Sequence, residues 1–136
     1  MALAAASPAY DSLAKRFKRN ALVRESIGLL QWDMAAMMPT GGAAVRGEQL
    51  ATLKVIAHEQ MTDPALIDLF GAADSGALDA WQRANLREMR RAWVHRAAVA
   101  PDLVAALTRA CSASEMVWRE AKPKGDFKAV LPKVKE

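Results

Sequence analysis

The sequence contains very little cysteine and histidine, and both shortages limit its chemistry. Cys111 is the single cysteine among 136 residues, and there are 2 histidines. One thiol can form neither an internal disulfide nor a thiolate-based zinc cluster. The lack of disulfides is typical of proteins in a reducing compartment. The sequence also lacks a basic leader before an apolar segment, and no apolar run is long enough to span a membrane. We therefore expect a cytoplasmic protein without a membrane partner.

The motifs that mark common active sites are also missing. There is no glycine-rich phosphate loop, nucleophile elbow or cysteine pair. His58-Glu59 begins a His-Glu-x-x-His pattern, in which two histidines one helical turn apart bind zinc, but the fifth position is Thr62. The other histidine, His95, belongs to a different predicted helix. We therefore predict no catalytic, cofactor-binding or metal-binding residue in this chain, and interpret His58 as partly buried and hydrogen-bonded, and Cys111 as a small core residue.

The excess of basic over acidic residues is small. The chain has 19 Lys and Arg against 15 Asp and Glu, a formal net charge of +4. This charge permits an acidic partner without implying one. Arg83, Arg87 and Arg91 recur on one face of a predicted helix, which makes them the place to look for a bound anion or an acidic partner. A solvated face is the favoured interpretation, and nucleic-acid binding, which would weaken steeply with salt, is unfavoured.

What the sequence does contain is helical periodicity. Apolar residues recur at spacings of three and four, no period-two alternation predicts a strand, and Ser-Pro, Asp-Pro and Pro-Asp pairs mark helix starts. The predicted helices are 8–33, 43–61, 64–70, 78–98 and 101–121, with a further segment starting at residue 127. We predict an all-α fold, five or six helices in an antiparallel, bundle-like assembly that forms one domain over residues 1–136. Because the last apolar stripe is cut short, we also expect the natural architecture to continue beyond Glu136.

The joint between the first two helices, residues 31–42, is the most informative stretch. The first helix ends near Asp33, Pro39 removes a backbone donor, and two glycines permit the turn into the second helix. The apolar stripe of the second helix, extended back one turn, reaches Arg46. A guanidinium on an inward face needs an acceptor, and Asp33 is the nearest carboxylate across the joint. An Asp33–Arg46 ion pair and an Arg46 side chain that reaches into water are both consistent with this pattern.

The joint also carries apolar side chains that need a cover. Trp32 and Met38 lie beside the turn, where exposure to water would be costly. Something must therefore pack on them, either from this chain or from a partner.

A series of short segments occurs in the order found in one known family. These segments are Tyr10, Leu13, Leu29-Leu30-Gln31-Trp32-Asp33, Met38-Pro39, Gly41-Gly42-Ala43, Arg46, Gln49-Leu50-Ala51-Thr52-Leu53, His58, Thr62-Asp63-Pro64, Glu88-Met89-Arg90-Arg91, Pro101-Asp102-Leu103-Val104, Trp118-Arg119-Glu120-Ala121-Lys122 and Asp126-Phe127. Together they closely resemble the N-terminal region of the carboxypeptidase Taq family of metallocarboxypeptidases. The resemblance covers nearly the whole chain and roughly the first quarter of such an enzyme.

The resemblance implies a cytoplasmic, helical exopeptidase, usually a homodimer, that removes C-terminal residues from peptides with one divalent metal, zinc or cobalt. In that family a His-Glu-x-x-His helix and a further Glu hold the metal, far downstream of this region, and His58-Glu59 does not align with them. The implied role of this chain is a scaffold and groove wall that packs on catalytic helices and is inactive alone. Trp32, Asp33, Met38, Pro39, Arg46 and His58 would then be structural signature residues.

A second interpretation assigns the chain to a different functional class. An independent helical module could use exposed apolar surface to bind a second copy of itself or another protein. Sedimentation at several concentrations distinguishes this interpretation from the first.

Overall fold

A computed structural model describes residues 7–135, and all regular structure in this range is helical. The six helices are α1 (Pro8–Ala36), α2 (Ala43–Thr62), α3 (Ala65–Asp74), α4 (Ala80–Ala97), α5 (Pro101–Ala121) and α6 (Phe127–Lys135). Two short 3₁₀ turns, Thr40–Gly42 and Lys122–Lys124, precede α2 and α6. The predicted all-α fold is therefore confirmed. Within the described residues, none of the helices combines the length and the apolar character needed to cross a membrane.

Helix α3 is longer than the sequence predicts. We expected a loop from Gly71 to Gly76, but the helix continues to Asp74. Ala73 on this extension is fully buried, while a Cβ at Gly71 would meet no atom within 4 Å. The burial of Ala73 therefore supports the extra turn, and the exposed glycine costs only about 1 kcal/mol relative to alanine.

The chain divides into two compact units, and the first comprises the described residues 7–23 and 57–100. Its hydrophobic core is formed by Tyr10, Leu13, Leu66, Phe70, Ala73, Leu78, Leu86 and Met89. The Phe70 ring lies 6.3 Å from that of Phe17 and 5.5 Å from that of Trp93, measured between centroids. These contacts join α1, α3 and α4 through aromatic packing. Trp81, in the first turn of α4, is exposed.

Polar contacts also hold the first unit together. Asn20 is buried, and its Nδ2 donates a 2.6 Å hydrogen bond to the backbone oxygen of Ala57 in α2. Arg16 Nη1 lies 2.5 Å from Asp63 Oδ2, and Asp63 Oδ1 accepts a hydrogen bond from the Ala65 amide. The hydrogen bond from Arg16, and then that from Ala65, lower the pKa of the Asp63 carboxyl from its ordinary value. Asp63 thus connects α1 to the start of α3.

The second unit comprises residues 24–56 and 101–135 as far as they are described. A Cβ built on the buried Gly47 of α2 would lie 3.6 Å from Ser112 Cβ of α5, so these two helices approach closely there. Arg109 of α5 makes two hydrogen bonds, of 2.7 and 3.0 Å, to the carboxylate of Glu48 in α2. These bonds lower the pKa of Glu48 and raise that of Arg109. The prediction of a single domain over residues 1–136 stays a prediction.

Candidate functional site

The joint between α1 and α2 is the site to which the sequence analysis pointed, and it lies within the second unit. Helix α1 ends three residues later than predicted, at Ala36, and the amides of Met37 and Met38 both donate to the Asp33 carbonyl. Pro39 is extended, with φ −66° and ψ 150°, and the 3₁₀ turn at Thr40–Gly42 then leads into α2. The chain therefore reverses within a few residues, as proline and glycine at these positions predict.

An ion pair closes this joint. Arg46 Nη2 lies 2.5 Å from Asp33 Oδ2, and the two side chains are 20% and 33% exposed. The predicted Asp33–Arg46 ion pair is thus confirmed, in preference to an Arg46 side chain that reaches into water. Among the described residues, the buried Nε of Arg46 has no hydrogen-bond partner. Asp33 is therefore the acceptor for Nη2 of this guanidinium but not for its Nε.

A second arginine contacts the same end of α1, and sequence reasoning missed it. Arg119 Nη1 of α5 donates to the backbone oxygen of Met34, and its Nη2 lies 2.6 Å from Glu115 Oε1. The last carbonyls of a helix lack partners within the helix, so a cation there is favourable. The Glu115–Arg119 spacing of four residues was visible in the sequence, but the contact with Met34 depends on the approach of α5 to α1.

The apolar side chains of the joint remain accessible within the described chain. Trp32 is 62% exposed and Met37 is 70% exposed. Met38 is half-buried, and its Cγ would lie 3.2 Å from a Cβ added at Gly42. A side chain at position 42 would therefore press on Met38. The interpretation of Trp32 and Met38 as a surface for a missing partner stays a prediction.

His58 is more buried than predicted and differs in its hydrogen bonding. The residue is 6% exposed, and within the described range its Nε2 has no hydrogen-bond partner. Its backbone oxygen accepts a 3.1 Å hydrogen bond from Thr62 Oγ1. The hydrogen bond expected for the buried imidazole is therefore not found at Nε2. The structural signature role of His58 stays a prediction.

The arginine stripe of α4 is partly engaged within the first unit. Arg83 Nη1 donates to the backbone oxygen of Leu78. Arg87 and Arg91 are exposed. Arg87 Nε lies 3.9 Å from Glu88 Oε1, and Arg91 Nη2 lies 3.0 Å from Glu88 Oε2. The three arginines therefore do not present three equivalent charges to an anion, and the anion or partner patch stays a prediction.

The residues present do not fit the divalent metal that the resemblance implies. Across residues 7–135 there is no group of three or more His, Cys, Asp or Glu side chains that could hold a metal ion. His58 is on α2 and His95 on α4, and neither belongs to a ligand cluster. No chemical step is therefore assigned to a metal bound by these residues.

The interpretation of Cys111 as a small core residue is wrong. Cys111 is exposed, and it lines a concavity of about 540 Å³ between α5 and α6 together with Trp118. Thr108 is buried instead, with its Oγ1 hydrogen-bonded to the Val104 oxygen at 2.7 Å. Because Thr108 can satisfy its hydroxyl within the helix, α5 can turn this residue inward and leave Cys111 outside.

Comparisons of the sequence and of the structure with known proteins indicate the same family. A family model for carboxypeptidase Taq (M32) metallopeptidases matches residues 12–136. Thermostable carboxypeptidase 1 of Thermus thermophilus is 33% identical over 132 residues, which cover 93% of this chain and 26% of the relative. The structure of metallocarboxypeptidase 1 of Trypanosoma cruzi is 32% identical, with a TM-score of 0.73 over 94% of this chain and 26% of that chain.

A more distant structure shares the fold. Carboxypeptidase of Pyrococcus furiosus is 24% identical, with a TM-score of 0.70 over 92% of this chain and 25% of that chain. The chain thus spans about a quarter of the length of the relatives it matches. The resemblance found in the sequence is confirmed, because the family model covers all but the first residues: this chain belongs to the carboxypeptidase Taq (M32) family of metallopeptidases.

Proposed function

We propose that this chain is a non-catalytic scaffold and groove-wall region of a metallocarboxypeptidase that removes C-terminal residues from peptides. The observation that carries the proposal is the family match over residues 12–136, which corresponds to about a quarter of the relatives' length. The Asp33–Arg46 ion pair and the Arg119 contact brace the joint between α1 and α2. A braced turn between long helices suits a wall that must keep its shape.

In this proposal the metal and the peptide are bound by other parts of the enzyme. Zinc or cobalt is the proposed metal, the cytoplasm the proposed compartment and a homodimer the proposed assembly. The exposed Trp32 and Met37 would pack against the catalytic helices.

An assay of the isolated chain tests whether it is inactive. The purified chain is incubated with a peptide that has a free C-terminus, with zinc or with cobalt, and the released amino acid is quantified. We expect no release above that of buffer with either metal. Release that a chelator abolishes would contradict the non-catalytic role.

A chimera tests the scaffold role directly. Residues 12–136 replace the matched region of Thermus thermophilus thermostable carboxypeptidase 1, and release of C-terminal residues is measured with added zinc or cobalt. We expect an active chimera, since the replaced region aligns with 93% of this chain at 33% identity. Asp33→Ala in the chimera should lower the melting temperature, whereas Glu25→Ala, at an exposed position of the same helix, serves as the matched control. A folded, metal-binding chimera without activity would refute the proposal.

Self-association is a second candidate function, favoured by the apolar side chains exposed near the joint. Leu29, Trp32 and Met37 are all exposed large hydrophobic residues. Sedimentation of the isolated chain over a range of concentrations measures the association, and Trp32→Ser should weaken it. A monomer at all concentrations would eliminate this alternative.

A further inference from the structure

A small concavity of the first unit lies between α4 and the segment that connects it to α3. Its volume is about 310 Å³, and Arg83, Arg87 and Arg90 of α4 line it together with Asp74 at the end of α3. Spacings of four and three residues place these arginines on one face of the helix. Arg91, which the sequence analysis grouped with Arg83 and Arg87, is not in this lining. The structure therefore brings together a different set of arginines from the predicted one.

The concavity carries a net positive charge. Among the described residues that line it, Asp74 is the single carboxylate, and three arginines against it leave a formal charge of +2. Asp74 Oδ2 already has a partner, Arg90 Nη2 at 2.6 Å. Glu88 Oε1 lies 3.9 Å from Arg87 Nε, which is too far for a hydrogen bond. These two carboxylates therefore leave positive charge in the concavity for an anion to meet.

Two of the arginines are held in place by the protein itself. Arg83 Nη1 donates to the backbone oxygen of Leu78. Arg90 Nη2 also donates to the backbone oxygen of Phe70 at 3.4 Å, and its guanidinium carbon lies 5.2 Å from the centroid of the Phe70 ring. A guanidinium has five N–H donors, so these contacts leave donors for a ligand. Side chains that are fixed before binding lose less conformational entropy when the ligand binds.

The lining also includes two apolar side chains. Leu78 and Leu86 are buried, with 8% and 5% of their surface exposed. Apolar protein on one side of a charged concavity strengthens its attraction for an ion, because the field is less screened there than in open water. The volume is at the lower end of the range for small-molecule sites. The concavity thus suits a small ligand with one anionic end and one apolar end.

We propose that this concavity binds a small organic phosphate, with the phosphate group on the three arginines and the organic part against Leu78 and Leu86. A phosphate monoester carries a charge of about −1.5 to −2 at pH 7 and three acceptor oxygens, which complements the charge of the lining. The paired N–H groups of a guanidinium match phosphate oxygens in geometry. The proposal does not depend on the scaffold role, because ligand binding is measured without peptidase activity.

Phenyl phosphate is the probe, and the accessibility of Arg87 reports whether it is bound. The side chains of Arg87 and Arg91 are 77% and 78% exposed, so phenylglyoxal should modify both at similar rates in the free chain. At a probe concentration of about four times the Kd, modification of Arg87 should slow about fivefold, while that of Arg91 should not change. Mass spectrometry of the digested chain measures the two rates.

Two further ligands separate the contributions of charge and apolar contact. Benzoate has the same ring as phenyl phosphate but a single negative charge, and inorganic phosphate has the charge without the ring. Isothermal titration calorimetry should give a weaker Kd for each of them than for phenyl phosphate.

A matched pair of variants on α4 tests the site against the general charge of the helix. Arg87→Gln should weaken phenyl phosphate binding about fivefold, the upper range for an ion pair open to solvent. Arg91→Gln removes the same charge at an equally exposed position and should change the Kd less than twofold. Neither side chain belongs to the core, and circular dichroism verifies that both variants are folded.

Four results would overturn the proposal. Equal protection of Arg87 and Arg91, or an unchanged Kd for a folded Arg87→Gln variant, would mean that the ligand senses only the general charge of α4. Benzoate or inorganic phosphate binding as tightly as phenyl phosphate would remove the argument for an organic phosphate. In the active chimera the same protection of Arg87 is expected, and its loss there would overturn the site for a complete enzyme.

Discussion

Removal of Asp33 should destabilise the protein more than removal of Arg46. The Arg46 side chain is only 20% exposed, and its buried Nε is already without a partner. Asp33→Ala would also remove the carboxylate that lies 2.5 Å from its Nη2. A hydrogen bond to a charged group contributes about 1.5–3 kcal/mol, and the unpaired guanidinium would remain. We therefore expect Asp33→Ala to lower the free energy of unfolding by about 2 kcal/mol. Arg46→Met, which keeps most of the apolar stem, should cost only about 1 kcal/mol.

A double-mutant cycle isolates the contribution of this ion pair. Unfolding in urea, followed by circular dichroism, gives the free energies for both single variants and for Asp33→Ala with Arg46→Met. We expect a coupling energy of about 1–2 kcal/mol, because the pair is partly shielded from water. The control is Arg91 with Glu88, at 3.0 Å but 78% and 54% exposed, where the coupling should stay below about 0.5 kcal/mol. Equal coupling in the two pairs would refute the role of Asp33 and Arg46 as a brace.

Three further predictions concern the stability of the isolated chain. Leu13→Ala should lower the free energy of unfolding by about 3 kcal/mol in urea titrations, because Leu13 is fully buried in the core of the first unit; a cost below about 1 kcal/mol would contradict that. Gly125→Ala should lower the melting temperature since Gly125 has φ 64°, whereas Gly28→Ala, inside α1 with open space for a Cβ, should raise it. The hydrogen bond from Arg16 lowers the pKa of the Asp63 carboxyl from its ordinary value of 3.8. The contribution of the ionised carboxylate to stability is therefore present above pH 3.8 and is lost as the pH falls through the lower pKa of the folded state. Asp63→Asn should therefore flatten the decline of melting temperature below pH 4, and an unchanged decline would rule out that contribution.

The positions of the helices could be predicted from the sequence because local signals agree with one another. Helix α5 has the predicted bounds, Pro101–Ala121, since proline is favoured in the first turn and Pro123 follows the end. Helix α3 could not be delimited in this way. From the local sequence, Gly71 indicates a loop. The additional turn of α3 up to Asp74 is favoured only by the burial of Ala73 in the core, which the sequence does not show.

The ion pair at the joint was predictable only as one of two alternatives. The sequence placed Arg46 on the inward stripe of α2 and Asp33 at the end of α1. Whether the guanidinium meets the carboxylate or reaches into water depends on the turn geometry at Pro39 and at Thr40–Gly42. Arg119 was missed because no local pattern relates it to the oxygen of Met34, which is distant in sequence.

The burial of single side chains was the least predictable property. Asn20 is buried instead of its neighbour Ala21, since its amide reaches the Ala57 oxygen. Cys111, which the sequence analysis interpreted as a small core residue, is exposed.

The sequence by itself determined the all-α class, the order and approximate bounds of the helices, and membership of the carboxypeptidase Taq family. Each of these depends on local periodicity, on turn residues or on short segments in a fixed order, which a linear chain displays directly. Only the tertiary structure decided that Asp33 meets Arg46, that Arg119 reaches the end of α1, and that Arg109 of α5 meets Glu48 of α2. The physical reason is that these contacts join side chains from different helices, whose approach and rotation are set by packing rather than by local sequence.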